Sequence, residues 1–279
     1  MQLYAVATHR EGWYDALVAS ARRGGYVLRT LGWGQRWRSF VWRFDLLLAA
    51  LADVPDDEVV GVVDAFDVVL LVPAAEMVAR FRALVPDGRR VVLSVNNPLR
   101  HWVADVYTAA TFGTCPAWGG RVLNMGGLLG CAGPMRAFLR LVRQHAARHG
   151  LTDDQKALNG ACAELGRRDL LRIDEQGDIF FHATCRDTMA YARGVCDLGL
   201  TADLRNPLTG RRPAVLHAPG GVDLNPACRR LRLPRGRRHV RWRWYLGNFW
   251  REAVVVLLVL AALVGVAVHA WGRRWRRRG

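Results

Sequence analysis

Asp64 and Asp67 close the apolar run Val59-Val-Gly-Val-Val63, so two carboxylates stand three positions apart where a strand should end. In open α/β sheets, ligands gather outside the carboxyl ends of the strands. Carboxylates this close repel each other unless a cation or a protonation shift relieves them. Two readings follow from the residues alone. In one, the pair belongs to a loop in which an aspartate caps the next element. In the other, it holds a divalent cation of the Mg²⁺ or Mn²⁺ kind, which prefers carboxylate oxygen and shares its coordination with substrate phosphates. An imidazole among the ligands tilts the choice towards Mn²⁺. His217, which follows the apolar run Ala214-Val-Leu216, could supply one, although a histidine so placed is, taken alone, more often structural.

Other chemistry-bearing groups are fewer. Asp153 and Asp154 follow Thr152, and as a single motif they read best as an N-cap with first-turn acids. Asn124 precedes Gly126-Gly127, a polar side chain beside backbone that something must approach closely. There is no G-x-G-x-x-G and no Walker loop, so a dinucleotide or P-loop site lacks its phosphate cradle. The spacing of Asp64 and Asp67 is also one too long for the paired aspartates of a haloacid-dehalogenase site.

The elements that must position these groups alternate. Strands are expected over Leu3–Thr8, Tyr26–Leu31, Val59–Val63 and Arg90–Val95, with helices over Tyr14–Arg23, Phe40–Leu51 and Ala74–Leu84 between them. That β-α-β-α order predicts a largely parallel, twisted sheet with helices on both faces. Residues 96–120 read as irregular and aromatic. Helices follow over Pro134–His149 and after Thr152, with short strands at Leu170–Asp174, Asp178–Phe181 and Ala214–Leu216.

The formal charge of +16 suggests nucleic acid until its distribution is inspected. Nine arginines lie between Arg229 and Arg251 and five more between Arg273 and Arg278, which leaves the first 228 residues close to neutral. Between these blocks runs an apolar stretch from Ala253 to Val268, followed by His269, Ala270 and Trp271. Roughly 19 residues at about 1.5 Å each span about 30 Å, the thickness of a bilayer's hydrocarbon core. Trp250 and Trp271 stand where interfacial aromatics belong. The expectation is a domain over 1–227, a basic juxtamembrane segment over 228–251, a transmembrane helix over 252–271 and a basic tail over 272–279. Arginines hard against an apolar span point to anionic lipid headgroups rather than to specific nucleic acid. The upstream flank is the richer in arginine, which places the domain on the cytoplasmic side, and the first ten residues do not read as a signal peptide. Six cysteines form no C-x-x-C pair, so neither a zinc site nor a disulfide framework is expected, and most read as small buried hydrophobes.

In order along residues 1 to about 225, seven blocks resemble the glycosyltransferase domain of the procollagen lysyl hydroxylases, which is itself related to the procollagen galactosyltransferases. They are Leu3-Tyr-Ala-Val-Ala-Thr8, Val27-Leu-Arg-Thr-Leu-Gly-Trp-Gly-Gln-Arg-Trp37, Val63-Asp-Ala-Phe-Asp-Val-Val-Leu70, Leu123-Asn-Met-Gly-Gly-Leu-Leu-Gly130, Asp153-Asp-Gln155, Ile173-Asp174 with Asp178-Ile-Phe180, and Val215-Leu-His217. The resemblance implies a GT-A type fold, a Rossmann-like mixed sheet flanked by helices. It implies transfer of a hexose, glucose or galactose, from a UDP-sugar to a hydroxyl acceptor on a protein or glycan. By the same resemblance Asp64, Asp67 and His217 are the ligands of Mn²⁺ (or Mg²⁺). Phe66 stacks on uracil where the family has a tyrosine. Thr8, Trp37, Gly126, Gly127 and Gly220 belong to the donor site, and Asn124, Asp153 and Asp154 contact sugar and acceptor. The chain departs from the family at Met125, which replaces a serine, and at Ala218-Pro219, which replaces a glycine and an asparagine near the diphosphate. Those departures keep a second expectation open, a catalytically degenerate membrane scaffold or glycan-binding protein of the same fold.

Overall fold

The computed structural model describes residues 1–95, 102–183 and 198–238, together with 250–251, 254–255, 257–266, 268–269 and 271. Its centre is a six-stranded sheet. In chain order the first elements are β1 (Gln2–Val6), α1 (Tyr14–Arg23), β2 (Val27–Leu31), α2 (Trp42–Ala50), β3 (Val59–Asp64), β4 (Val68–Leu70), α3 (Ala74–Leu84) and β5 (Val91–Leu93). There follow α4 (Trp102–Phe112), β6 (Gly127–Cys131), α5 (Ala132–Arg148), α6 (Asp154–Arg167), β7 (Leu171–Ile173), β8 (Phe180–His182), β9 (Val215–His217) and α7 (Asn225–Leu231). The large sheet runs β2-β1-β3-β6-β5-β7, and a three-stranded sheet runs β4-β9-β8.

Alternation along each strand divides the core. Tyr4, Val60, Val62, Val91, Leu93 and Leu128 face one way, onto helices α2, α5 and α6 through Phe44, Leu47, Phe138, Leu139 and Leu158. Leu3, Ala5, Val59, Val63, Val92 and Leu129 face the other way, onto α1 and α3 through Leu17, Met77 and Phe81. Because both faces are covered, β3 is apolar at every position until Asp64, as a central strand must be. A third cluster joins the small sheet to Trp13 and α7: Val69, Phe181 and Leu216 pack with Ala227, Cys228 and Leu233. The packed body thus runs on through the first of the basic residues, and Asn225 exchanges hydrogen bonds with Gly236 at 3.0 Å in both directions.

The sheet is mixed rather than largely parallel. β1 pairs parallel with β2 and β3, but β6 is antiparallel to both β3 and β5. The bridge between Val95 and Leu123 shows why: the chain leaves β5 and returns beside its own exit, without crossing to the far end of the sheet. A pattern of strands and helices does not reveal whether an intervening helix crosses over. The segment expected to be irregular over 96–120 contains α4 and a short 3₁₀ turn at Pro116–Trp118, while residues 96–101 lie outside the described ones. The cysteine expectation needs correcting too. Cys115 and Cys162, 47 positions apart, form a disulfide, because the turn near Pro116 packs on α6. Cys131 and Cys228 are buried thiols, and Cys185 and Cys196 lie outside the described residues.

Among the described residues, no helix is long and apolar enough to cross a membrane. Residues 257–266 are helical and expose Leu257, Leu258, Val259, Leu263, Val264 and Val266, whereas 252, 253, 256, 267 and 270 of the expected span lie outside the described residues.

Candidate metal and nucleotide site

Strand β3 ends with Asp64 opposite Val6 of β1, and the Asp64 backbone N–H donates to Gly126 O at 3.1 Å. Over the next three residues the chain turns out of the large sheet and enters the small one as β4. There Val68 sits opposite His217 of β9, and the Ala218 N–H donates to Asp67 O at 2.8 Å. Two separate pairings therefore bring together residues about 150 positions apart in sequence. His217 Nε2 lies 3.4 Å from Asp64 Oδ2 and 3.6 Å from Asp67 Oδ1. One donor atom from each of the three residues falls within 4.8 Å of the others.

The donor set fits a divalent cation. His217 Nε2 is fully buried and has no hydrogen-bond partner, since 3.4–3.6 Å is too long for a good bond. An orphaned buried nitrogen facing two carboxylate oxygens is the arrangement a metal ion completes. Gly126 shapes the cradle: a Cβ there would collide with the His217 ring and come within 2.8 Å of Asp64 Oδ2. Burial works to lower the His217 pKa, but Asp67 and Asp64 outweigh it and leave it raised. The two carboxylates thus set up a field at the His217 ring that favours positive charge.

Arg43 was not anticipated by sequence reasoning. It lies in the first turn of α2, with its side chain 6 % exposed, and its Nη1 donates to Asp64 Oδ1 at 2.9 Å and to Asp154 Oδ2 at 2.8 Å. Burial opposes its charge, and the two carboxylates more than restore it. One guanidinium thus faces the metal-side Asp64 and the buried Asp154 together, leaving three carboxylates of the site against one fixed cation. Burial pushes the Asp154 carboxyl up to about 7 against the pull of Arg43, with Asp153 and Asp64 adding to the rise. A signal for Arg43 did exist in the sequence: it lies one helical turn before Leu47 on the apolar face of α2, where an unpaired charge would be costly.

Its neighbour Asp153 does something else. It is the N-cap of α6, and its Oδ1 accepts from the Lys156 N–H at 2.8 Å. Helix α6 is held in place by Asn159, which accepts from the Leu123 N–H at 2.8 Å and donates to Leu123 O at 3.2 Å. The same helix carries the disulfide, so Asp154 is set on a firmly docked element.

The remaining expected residues are distributed around this centre. Asn124 is buried, and its Oδ1 accepts from the Gly126 N–H at 2.8 Å, which fixes the backbone that faces His217. Gly127 leaves room for the Phe180 ring. Phe66 sits in the turn between the two aspartates, with the His9 ring 5.7 Å away. Thr8 accepts through its carbonyl from the Gly34 N–H at 2.9 Å, closing the loop after β2 onto the end of β1. Farther along that loop, Trp37 packs edge-on against Phe40 and Trp42. Gly220 takes φ 72° in the 3₁₀ turn that follows His217, a conformation few other residues adopt. Two further residues escaped the sequence reading. His182 Nδ1 lies 2.9 Å from His217 Nδ1, and its Nε2 lies 2.5 Å from Ser94 Oγ. Burial, reinforced by His217, lowers the His182 pKa well below the usual imidazole range.

Comparison with known proteins places the chain in a family. The family model described as the PLOD GT domain matches residues 1–225. No curated protein matches the chain. Among solved structures, the galactosyltransferase LgtC in complex with donor and acceptor sugar analogues is 14 % identical, with a TM-score of 0.46, covering 79 % of this chain and 87 % of that one. A glycosyltransferase involved in glycosylation of the major capsid of PBCV-1 is 12 % identical (TM-score 0.44, 79 % and 95 % covered). Mouse xyloside xylosyltransferase 1 is 15 % identical (TM-score 0.38, 64 % and 65 % covered).

Proposed function

The chain belongs to the family of PLOD glycosyltransferase domains, and from that premise we propose that it transfers a hexose, glucose or galactose, from a UDP-sugar to a hydroxyl acceptor on a protein or glycan, with Mn²⁺ (or Mg²⁺) held by Asp64, Asp67 and His217. The observation that carries this reading is the convergence of two carboxylates on an imidazole nitrogen that is buried and otherwise unpartnered. When bound, such a cation offsets the negative charge that develops on the leaving diphosphate.

The chain's own residues then have distinct tasks. Arg43 fixes the outer oxygen of Asp64, so that Oδ2 is the one turned towards His217. Asn124 holds the Gly126 backbone against the cluster, and Phe66 offers a ring to stack on uracil. Asp154, kept in place by Arg43, is the carboxylate assigned to the sugar or acceptor. A screen of UDP-glucose, UDP-galactose and UDP-N-acetylhexosamines with Mn²⁺, read as UDP release, tests the whole assignment. Metal-dependent turnover with a hexose donor is expected. No turnover with any donor would leave the degenerate scaffold as the better reading.

The membrane anchor over 252–271, with the arginines on anionic headgroups, is part of the same proposal and rests on the length of the apolar run. The full chain should float with vesicles of phosphatidylcholine and phosphatidylserine, and a chain ending at residue 251 should bind them weakly and lose them in high salt. Equal flotation of both would remove the anchor. The cytoplasmic placement rests on arginine asymmetry alone, and the Cys115–Cys162 disulfide weighs against it, because such bonds persist mainly in oxidising compartments. Alkylation of intact vesicles, with and without reductant, decides the side.

A further inference from the structure

His182 and His217 are register partners on the parallel strands β8 and β9, so their side chains leave the same face of the small sheet. Their rings stand nearly perpendicular, with centroids 5.0 Å apart and the two Nδ1 atoms 2.9 Å apart. Beyond them, Ser94, next to the end of β5, meets His182 Nε2 at 2.5 Å. Ser94, His182 and His217 are 3 %, 1 % and 2 % exposed, so water cannot substitute for these bonds. Ser94 also accepts from the Asn124 N–H through its carbonyl at 3.0 Å, which ties the row to the backbone behind Gly126.

Proton accounting along this row leaves two arrangements when both rings are neutral, because only one proton fits between two Nδ1 atoms. If His182 donates, the His217 proton sits on Nε2 and points at Asp64 and Asp67. If His217 donates, its Nε2 presents a lone pair to the space between the two carboxylates, and His182 Nε2–H then donates to Ser94 Oγ. Only the second arrangement gives His217 a lone pair for a metal, and it satisfies the Ser94 contact at the same time. A ligating histidine commonly donates its other ring N–H to a fixed acceptor, which sets tautomer and ring angle.

We propose that His182, anchored by Ser94, is a positioning residue that accepts the His217 Nδ1 proton and holds the His217 Nε2 lone pair towards the metal site. The inference rests on the metal assignment made above. It gives a role to a residue of the second sheet that stands opposite His217 in the strand register.

Mn²⁺ binding to the full chain, measured by calorimetry without any sugar donor, separates the possibilities. Wild type should bind, and His217→Ala should abolish binding. His182→Phe should weaken binding on the order of 10–100-fold, the usual cost of losing such a partner. His182→Asn keeps an acceptor oxygen near the place of Nδ1 and should recover most of the affinity, and thermal unfolding without metal checks that each variant is folded. Wild-type affinity in His182→Phe, or a loss in His182→Asn as large as that in His182→Phe, would overturn the positioning role alone. Wild type failing to bind, or His217→Ala binding as wild type does, would bring down the metal assignment and this inference with it.

Discussion

At Asp64 and Asp67 two carboxylates turn towards one imidazole, whereas at Asp153 and Asp154 they go to different partners. Asp153 spends its carboxylate on a backbone N–H at the start of α6, and Asp154 spends its own on Arg43. The cause is local geometry. Asp64 ends a strand and Asp67 ends the turn after it, so the chain between them can fold both side chains onto the same point. Asp153 and Asp154 straddle a helix start, where the cap residue is bound to the helix backbone and the next side chain projects from the helix surface. The two pairs are nevertheless joined, because Arg43 contacts one member of each.

Breaking the first pair should have the largest effect. Asp64→Ala should remove Mn²⁺-dependent UDP release altogether, whereas Asp153→Ala should leave a clear fraction of it. Similar residual turnover in the two variants would erase the distinction between the pairs. Next in size is the link. Arg43→Met leaves Asp154 buried without its cation, and the loss of one partner of a buried ion pair costs about 3–5 kcal/mol. Urea unfolding should show that loss, and Arg43→Met combined with Asp154→Asn should recover part of it. An additive double variant would mean that Arg43 and Asp154 are not coupled.

Acidity gives a finer test. Asp154 titrates at about 7 in the folded chain, above its ordinary unfolded value, so the fold binds a proton that the unfolded chain has released. Stability of the metal-free protein should therefore fall as pH rises from roughly 4 to roughly 7. Asp154→Asn should flatten that slope, and an unchanged slope would assign it to another group. The smallest effect belongs to the cap: Asp153→Ala should cost about 0.5–2 kcal/mol in urea unfolding, and Asp153→Ser should restore most of it. A loss well above that range would mean that Asp153 does more than cap.

Much of the site was legible because strand ends and helix starts leave local signatures. The β3–Asp64 junction shows as an apolar run ending in acid, and α1 and α3 match their expected limits residue for residue. Arg43, His182 and Ser94 were missed for a different reason. Each gains its meaning from a partner brought near by folding, at separations of 21 and 111 positions for Arg43 and of 35 and 88 for His182. The disulfide was missed on the same grounds, since cysteine spacing carries no information about which turn will pack on which helix.

By itself the sequence determined most of the strands and helices of the first 95 residues and the two helices over 132–167, where carboxylates stand at their ends, and the family to which those blocks belong, but not α4, β4, β6 or α7. Periodicity and capping are local, so they can be read from neighbours along the chain. Tertiary structure decided that β6 returns antiparallel and that β4 leaves the large sheet to pair with β9, the pairings that carry His217 to the Asp64 and Asp67 with which the resemblance had grouped it. Those outcomes depend on which surfaces bury one another, and hydrophobic burial is non-directional until the whole core is assembled.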